Sequence, residues 1–154
     1  EILIGLVGSE MCIRDSLNSV RTVSYYVQQL YGHHKGTNVL SLMMNKKPVT
    51  GAEGQNGLFA SAVYDKNKNE IIVKVANTSD RTQPLSLKFE GLKKQDVLSG
   101  GRCIKLRSAD PDKDNTIEQP SVIQPQETSV SIDGQVLSVE LEPKTFAVYI
   151  FKKG

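Results

Sequence analysis

Apolar side chains recur at every second position through much of the later part of this 154-residue chain. Ile71, Val73 and Val75 alternate with Ile72, Lys74 and Ala76. Leu85, Leu87 and Phe89 alternate with Ser86, Lys88 and Glu90. Ile104 and Leu106 alternate with Lys105 and Arg107, and Leu137, Val139 and Leu141 with Ser138 and Glu140. Successive side chains of a strand point to opposite faces, so a period of two places one face of each run in a core and the other in water. Near the C-terminus the alternation gives way. Phe146, Val148 and Ile150 share one face, but Ala147, Tyr149 and Phe151 are apolar as well. Such a strand belongs at the centre of a sheet or between two layers. Turn-forming residues separate the runs at Asp65-Lys66-Asn67, Gly100-Gly101 and Asp133-Gly134. The last of these joins run 130–132 to run 137–141 as a hairpin. About seven short strands with such turns indicate a sandwich or jelly roll.

One helix precedes the strands. Val20, Val23, Val27, Leu30 and Tyr31 fall at helical spacing, with Tyr26 beside them. Ser19 reads as its N-cap and Gly32 as its C′ residue. The expected fold class is therefore all-β, a β-sandwich or jelly roll preceded by one α-helix. A lone amphipathic helix is marginal in water until its stripe is buried. Little else in the chain is helical, so the reading expects part of the stripe's partner to lie outside these residues, and the chain to be a piece of something larger.

Charge and composition exclude some classes. A formal net charge of +2, with scattered basic residues, carries no nucleic-acid footprint. Lys93-Lys94 and Lys152-Lys153 read as solvated ends. Cys12 and Cys103 offer no disulfide framework. The first apolar run, residues 2–7, is too short to span a membrane. It lacks the basic flank and small-residue cleavage site of a signal peptide.

Residues that invite a chemical reading have plainer ones. His33 and His34 follow the helix end, where a basic group suits the helix dipole. Asp110, Asp112 and Asp114 have the spacing of a calcium loop, but Asn115 and Ser121 stand where Gly and Glu are needed, and Pro111 at the second position. They read as an Asx-type turn. Asn77-Thr78-Ser79 is a glycosylation sequon by pattern and a strand cap by position. Glu90 and Glu140 lie on the outward phase of strands, Glu118 and Glu127 in a long irregular stretch, residues 108–127. A second irregular stretch spans residues 43–57. Both are expected to drape over the sandwich or against a neighbouring domain. No cofactor and no metal site is expected. Tyr64, Tyr149 and Phe151 are the sandwich aromatics expected to face outward, which keeps open a carbohydrate-binding module as the alternative function.

Several blocks together resemble one family. Residues 25–31, YYVQQLY, then Gly36-Thr37 and Val39-Leu40, look like the last barrel helix of α-L-arabinofuranosidases of glycoside hydrolase family 51. Residues 57–65, GLFASAVYD, and 70–77, EIIVKVAN, resemble the first strands of that family's C-terminal β-sandwich. Residues 114–120, with Val122 and Pro125, resemble its long loop, and Leu141-Glu142-Pro143 before residues 146–149 its closing strand. The match runs from about residue 19 to the end. Residues 1–16 do not fit it and are similar to translated sequencing-adapter sequence. The resemblance thus implies three parts: a non-native segment over 1–16, the last helix of a missing (β/α)8 barrel over 17–38, and the C-terminal β-sandwich over 39–154. It implies a parent enzyme that releases arabinofuranosyl units from arabinan or arabinoxylan with retention, using two glutamates about 5–5.5 Å apart. Both lie on barrel strands upstream of this helix, so no catalytic residue is carried over to this chain. The partner implied is the upstream barrel, packed through Val23, Val27, Leu30 and Tyr31, in a parent that forms homo-oligomers. No nucleic acid or membrane partner is implied.

Overall fold

The computed structural model describes residues 12–15, 18–48, 54–93, 95–108, 110 and 112–154. A hairpin of β1 (Cys12–Asp15) and β2 (Asn18–Arg21) leads into α1 (Val23–His33). There follow β3 (Asn38–Leu40), β4 (Met43–Met44), β5 (Lys47–Pro48), β6 (Leu58–Asp65), β7 (Glu70–Asn77) and β8 (Gln83–Lys88). The chain ends with β9 (Leu98–Arg107), β10 (Gln126–Ser129), β11 (Val136–Leu141) and β12 (Thr145–Lys153). Among the described residues six strands form one antiparallel sheet in the order β10-β9-β12-β7-β6-β3, while β8 pairs with β11 as a separate ribbon. The architecture is an all-β sandwich with one helix. No described helix is long and apolar enough to cross a membrane.

The large sheet is apolar on both faces. On one, Ala62, Ile71, Val73, Val75, Tyr149 and Phe151 meet Leu85, Leu137 and Leu141 of the ribbon. On the other, Ile72, Ile104, Leu106, Val148 and Ile150 meet Tyr26 and Leu30 of α1 and Ile123 of the long loop. The expected central position of the closing strand holds, because β12 lies between β9 and β7. The one-sided reading of β7 does not. Ile72 and Lys74 are buried along with Ile71, Val73 and Val75, since the helix layer covers the face that the alternation assigned to water.

Three local expectations are corrected. The helix starts later than Ser19, because residues 18–21 are held extended by pairing with 12–15. Thr22 is the N-cap, its side-chain oxygen accepting from the Tyr25 amide at 3.3 Å. Gly32 stays inside the last turn. His34 ends the helix instead, donating through both its backbone N–H and its ring Nδ1 to the Leu30 carbonyl. Gly100-Gly101 is not a turn but part of β9, where Arg102 pairs with Ile150 and Ser99 with Lys152. Two residues therefore oppose the single Phe151, a β-bulge. A Cβ on Gly101 would lie 2.4 Å from the Val130 carbonyl oxygen, so only glycine lets the strands close there. Finally, the chain does turn after Asp133, which exchanges backbone bonds with Val136. Residues 130–132 form no ladder with β11, however. The Val130 amide still donates to Gly101, and β11 pairs with β8 instead.

Of residues 1–16, only 12–15 are described, so the adapter-like reading of that segment lies mostly outside the described residues. The two long stretches differ from each other. Residues 43–48 hold the small β4–β5 hairpin, turned at Asn45 and Lys46, both at positive φ. Residues 49–53 lie outside the described residues. The stretch that follows β9 is irregular but fastened to this chain's own helix side, as the next subsection shows.

Candidate functional site

Carboxylates come first, because hydrolysis of a glycosidic bond needs two of them facing each other. Glu70 and Glu127 approach one common group, Arg102, at 3.8 Å and 3.2 Å. Both carboxylates are thus engaged by one guanidinium. Glu90 and Glu140 are exposed, and Glu90 pairs with Lys88. Glu118 is exposed in the loop. Among the described residues no three His, Cys, Asp or Glu side chains come together to hold a metal ion. Asp110 Oδ1 accepts the Asp112 amide, an Asx turn, and Asp114 Oδ1 accepts the amides of Val23 and Asn115.

The second of those contacts places a carboxylate at the N-terminus of α1, where it suits the helix dipole. Asn115, which has no exposed surface, adds to it. Its Nδ2 donates to the carbonyls of Arg21 and Ile123, and its Oδ1 accepts the Ile123 amide at 2.8 Å. The long loop is thereby tied to the helix start, and Ile123 is seated in the helix-side core. Asn77 is a second hub. It is 1% exposed, and its Nδ2 donates to the carbonyls of Arg81, Leu141 and Glu142.

The aromatics expected to form an outward platform do not. Tyr149 and Phe151 are 1% and 0% exposed, because their face of β12 meets the ribbon rather than solvent. Tyr64 is half-buried. Some of the exposed apolar surface gathers on the opposite face of the sheet. There α1 covers the β9–β12 side and leaves the β6–β3 side open. Phe59 and Val63 of β6 point to this face, and Val39 stands opposite Val63 with 86% of its surface exposed. Phe146, Ala76 and Phe59 form one cross-strand row. Tyr31, 47% exposed, stacks on Phe146 with ring centroids 5.3 Å apart. Val23, Val27, Ala76, Leu106 and Phe146 line a shallow hollow of 280 Å³ at the foot of the helix. The result is an apolar step, with the sheet as its tread and the helix as its riser. The tread is about two strands wide, or about 10 Å, the width of one packed helix.

Of the four helix residues expected to meet an outside partner, Leu30 is turned onto the chain's own sheet. This corrects the expectation for that residue, since the sheet's second apolar face supplies its partner. Val23 and Val27 are partly covered in the same way, and Tyr31 is the one left open. Lys74 lies under the riser. Its ammonium donates to the His34 carbonyl at 2.6 Å and sits 4.9 Å from the Tyr31 ring centroid. Burial pushes the Lys74 amine below its ordinary range. His34 is also lowered, chiefly by burial, with its bond to Leu30 opposing and the charge of Lys74 adding. Neither Asn115 nor Lys74 was singled out by the sequence reading. Lys74 sits in the polar phase of an alternating strand, and nothing in the pattern marks that phase as covered.

A family model described as the α-L-arabinofuranosidase C-terminal domain matches residues 4–145, beginning inside the adapter-like segment. No curated protein matches the chain. Among solved structures, an arabinose-bound GH51 α-L-arabinofuranosidase superposes with a TM-score of 0.78 at 16% identity, over 96% of this chain and 22% of that one. The α-L-arabinofuranosidase of Thermotoga maritima, an arabinose complex, gives 0.70 at 17%, over 90% and 30%. The GH51 arabinofuranosidase of Xanthomonas axonopodis pv. citri gives 0.70 at 18%, over 92% and 28%. At these identities the superpositions show the fold alone, and this chain spans less than a third of each structure's length. The family model, which covers most of the chain, goes further: the chain belongs to the α-L-arabinofuranosidase C-terminal domain family.

Proposed function

We propose that this chain is the non-catalytic C-terminal sandwich of a larger, bacterial, retaining α-L-arabinofuranosidase acting on arabinan or arabinoxylan. In this reading it braces the catalytic barrel, and the apolar step is the surface on which the barrel rests. The observation that carries the reading is the family match together with the small share of each superposed structure that the chain spans. Two features of the molecule favour it. Glu70 and Glu127 both engage Arg102 rather than an open cleft. The step leaves Val39, Phe59 and Tyr31 with exposed apolar surface on one face of the sheet, the kind of surface that marks an interaction face. The alternative of a sugar-binding module with an aromatic platform is not favoured, since Tyr149 and Phe151 are in the core. Incubating the chain with an aryl α-L-arabinofuranoside tests the assignment. No release of the aryl group above a blank is expected, and clear turnover would overturn it.

A further inference from the structure

A second surface feature lies at the other edge of the large sheet. A groove of 620 Å³ runs between the ends of β9 and β10 and the long loop. Lys105, Arg107 and Lys113 line it, with the carboxylates Asp110 and Glu142 and the carboxamides Gln124 and Gln126. Arg107 is held by Glu142 at 3.7 Å. Lys105 and Lys113 make no ion pair among the described residues. The groove thus offers two uncommitted ammonium groups beside two side-chain carboxamides.

One wall is rigid. Asn115 binds both the amide and the carbonyl of Ile123, and Ile123 is anchored in the core, so the backbone next to Gln124 is fixed before any ligand arrives. The opposite wall is strand β9 itself. Preorganised polar groups lose little on binding.

We infer that this groove binds an acidic oligosaccharide, a chain of neutral sugars carrying a uronate. The volume lies within the range of small-molecule sites and exceeds what a lone inorganic anion fills. Carboxamides both donate and accept, which suits sugar hydroxyls. An ammonium group of Lys105 or Lys113 suits a carboxylate through a charge-assisted bond. The carboxylates of Asp110 and Glu142 leave the groove only weakly positive, which disfavours a densely charged polyphosphate or nucleic acid. The groove lies at the β10 edge of the sheet and the apolar step at the β3 edge, so occupation of one leaves the other open.

The test titrates the chain with a glucuronic-acid-substituted xylo-oligosaccharide and with its unsubstituted counterpart, and follows heat and amide chemical shifts. The acidic ligand should bind about tenfold more tightly, the scale of one charge-assisted hydrogen bond. Shifts should concentrate at Gln124 and Gln126. Lys105→Gln with Lys113→Gln should remove the preference without moving the melting point. Glu142→Gln, which frees Arg107, should strengthen it. No binding of either ligand, equal binding of both, or a preference that survives the double substitution overturns the inference.

Discussion

Asn115 has no exposed surface, yet its carboxamide serves two residues far apart in the chain, Arg21 and Ile123. Asn115→Ala would strand the carbonyls of Arg21 and Ile123 and the Ile123 amide inside the protein. Burying such groups without partners costs on the order of 1–3 kcal/mol each, so a loss of about 3 kcal/mol or more is expected in urea denaturation. A loss below about 1 kcal/mol would mean that water replaces the carboxamide. His34 gives a pH signature. Burial lowers its pKa below the ordinary 6.5, so the unfolded chain binds the proton more readily than the folded one. Stability should then rise as pH climbs through the folded-state value towards 6.5 and level off above it. His34→Gln should flatten that part of a stability–pH curve, and an unaltered slope would remove His34 as its source. Neither residue could be weighted from the sequence. An asparagine in a polar loop looks like any other until its loop is seen to lie against a helix 90 residues earlier.

At the scale of elements, strands were more legible than their surroundings. Residues 70–77 were read as one strand and are β7, because alternation and a turn on each side bound the run without tertiary help. The closing strand's central position was legible from apolar residues on both phases. Pairings were not. Asp133-Gly134 marks a turn, but local residues do not decide whether the next strand pairs with its predecessor or with β8, 50 residues away. The helix boundary was displaced for a similar reason, since the pairing of residues 18–21 overrides their helical spacing. The stripe's burial was legible from its spacing, but not that the second face of β7 receives Leu30, because the pattern gave that face to water. Leu30→Ala should therefore lower stability by about 2–5 kcal/mol, as for other buried leucines. A change below about 1 kcal/mol would show that the helix rides loosely on the sheet rather than forming part of its core.

At the scale of the molecule, two apolar faces on one sheet explain why a single helix suffices on one side and a two-stranded ribbon on the other. They also leave the step beside the helix. Val39→Lys with Phe59→Lys should lower unfolding free energy by no more than about 2 kcal/mol, since Val39 is 86% exposed and Phe59 36%. The same pair should cut the fluorescence of a dye that reports exposed apolar surface. Unchanged dye binding would place that surface elsewhere, and a large stability loss would place the two residues in the core. The expectation that no catalytic pair is carried over to this chain came only through the family resemblance. Composition and spacing alone left several carboxylates to be sorted, and it took the positions of Arg102 and the loop to show what each one touches.

The corner built on Asn77 has a consequence for how the chain can be produced. Its side-chain nitrogen, already committed to three carbonyls, is also the atom to which a eukaryotic secretory pathway would attach a glycan. Transfer happens on nascent polypeptide, ahead of closure, and a glycan there would prop the end of β7 away from the residues that follow β11. Yeast or insect-cell secretion would thus divide the product into molecules that closed in time and molecules sealed open, a heterogeneity that a bacterial host would never reveal.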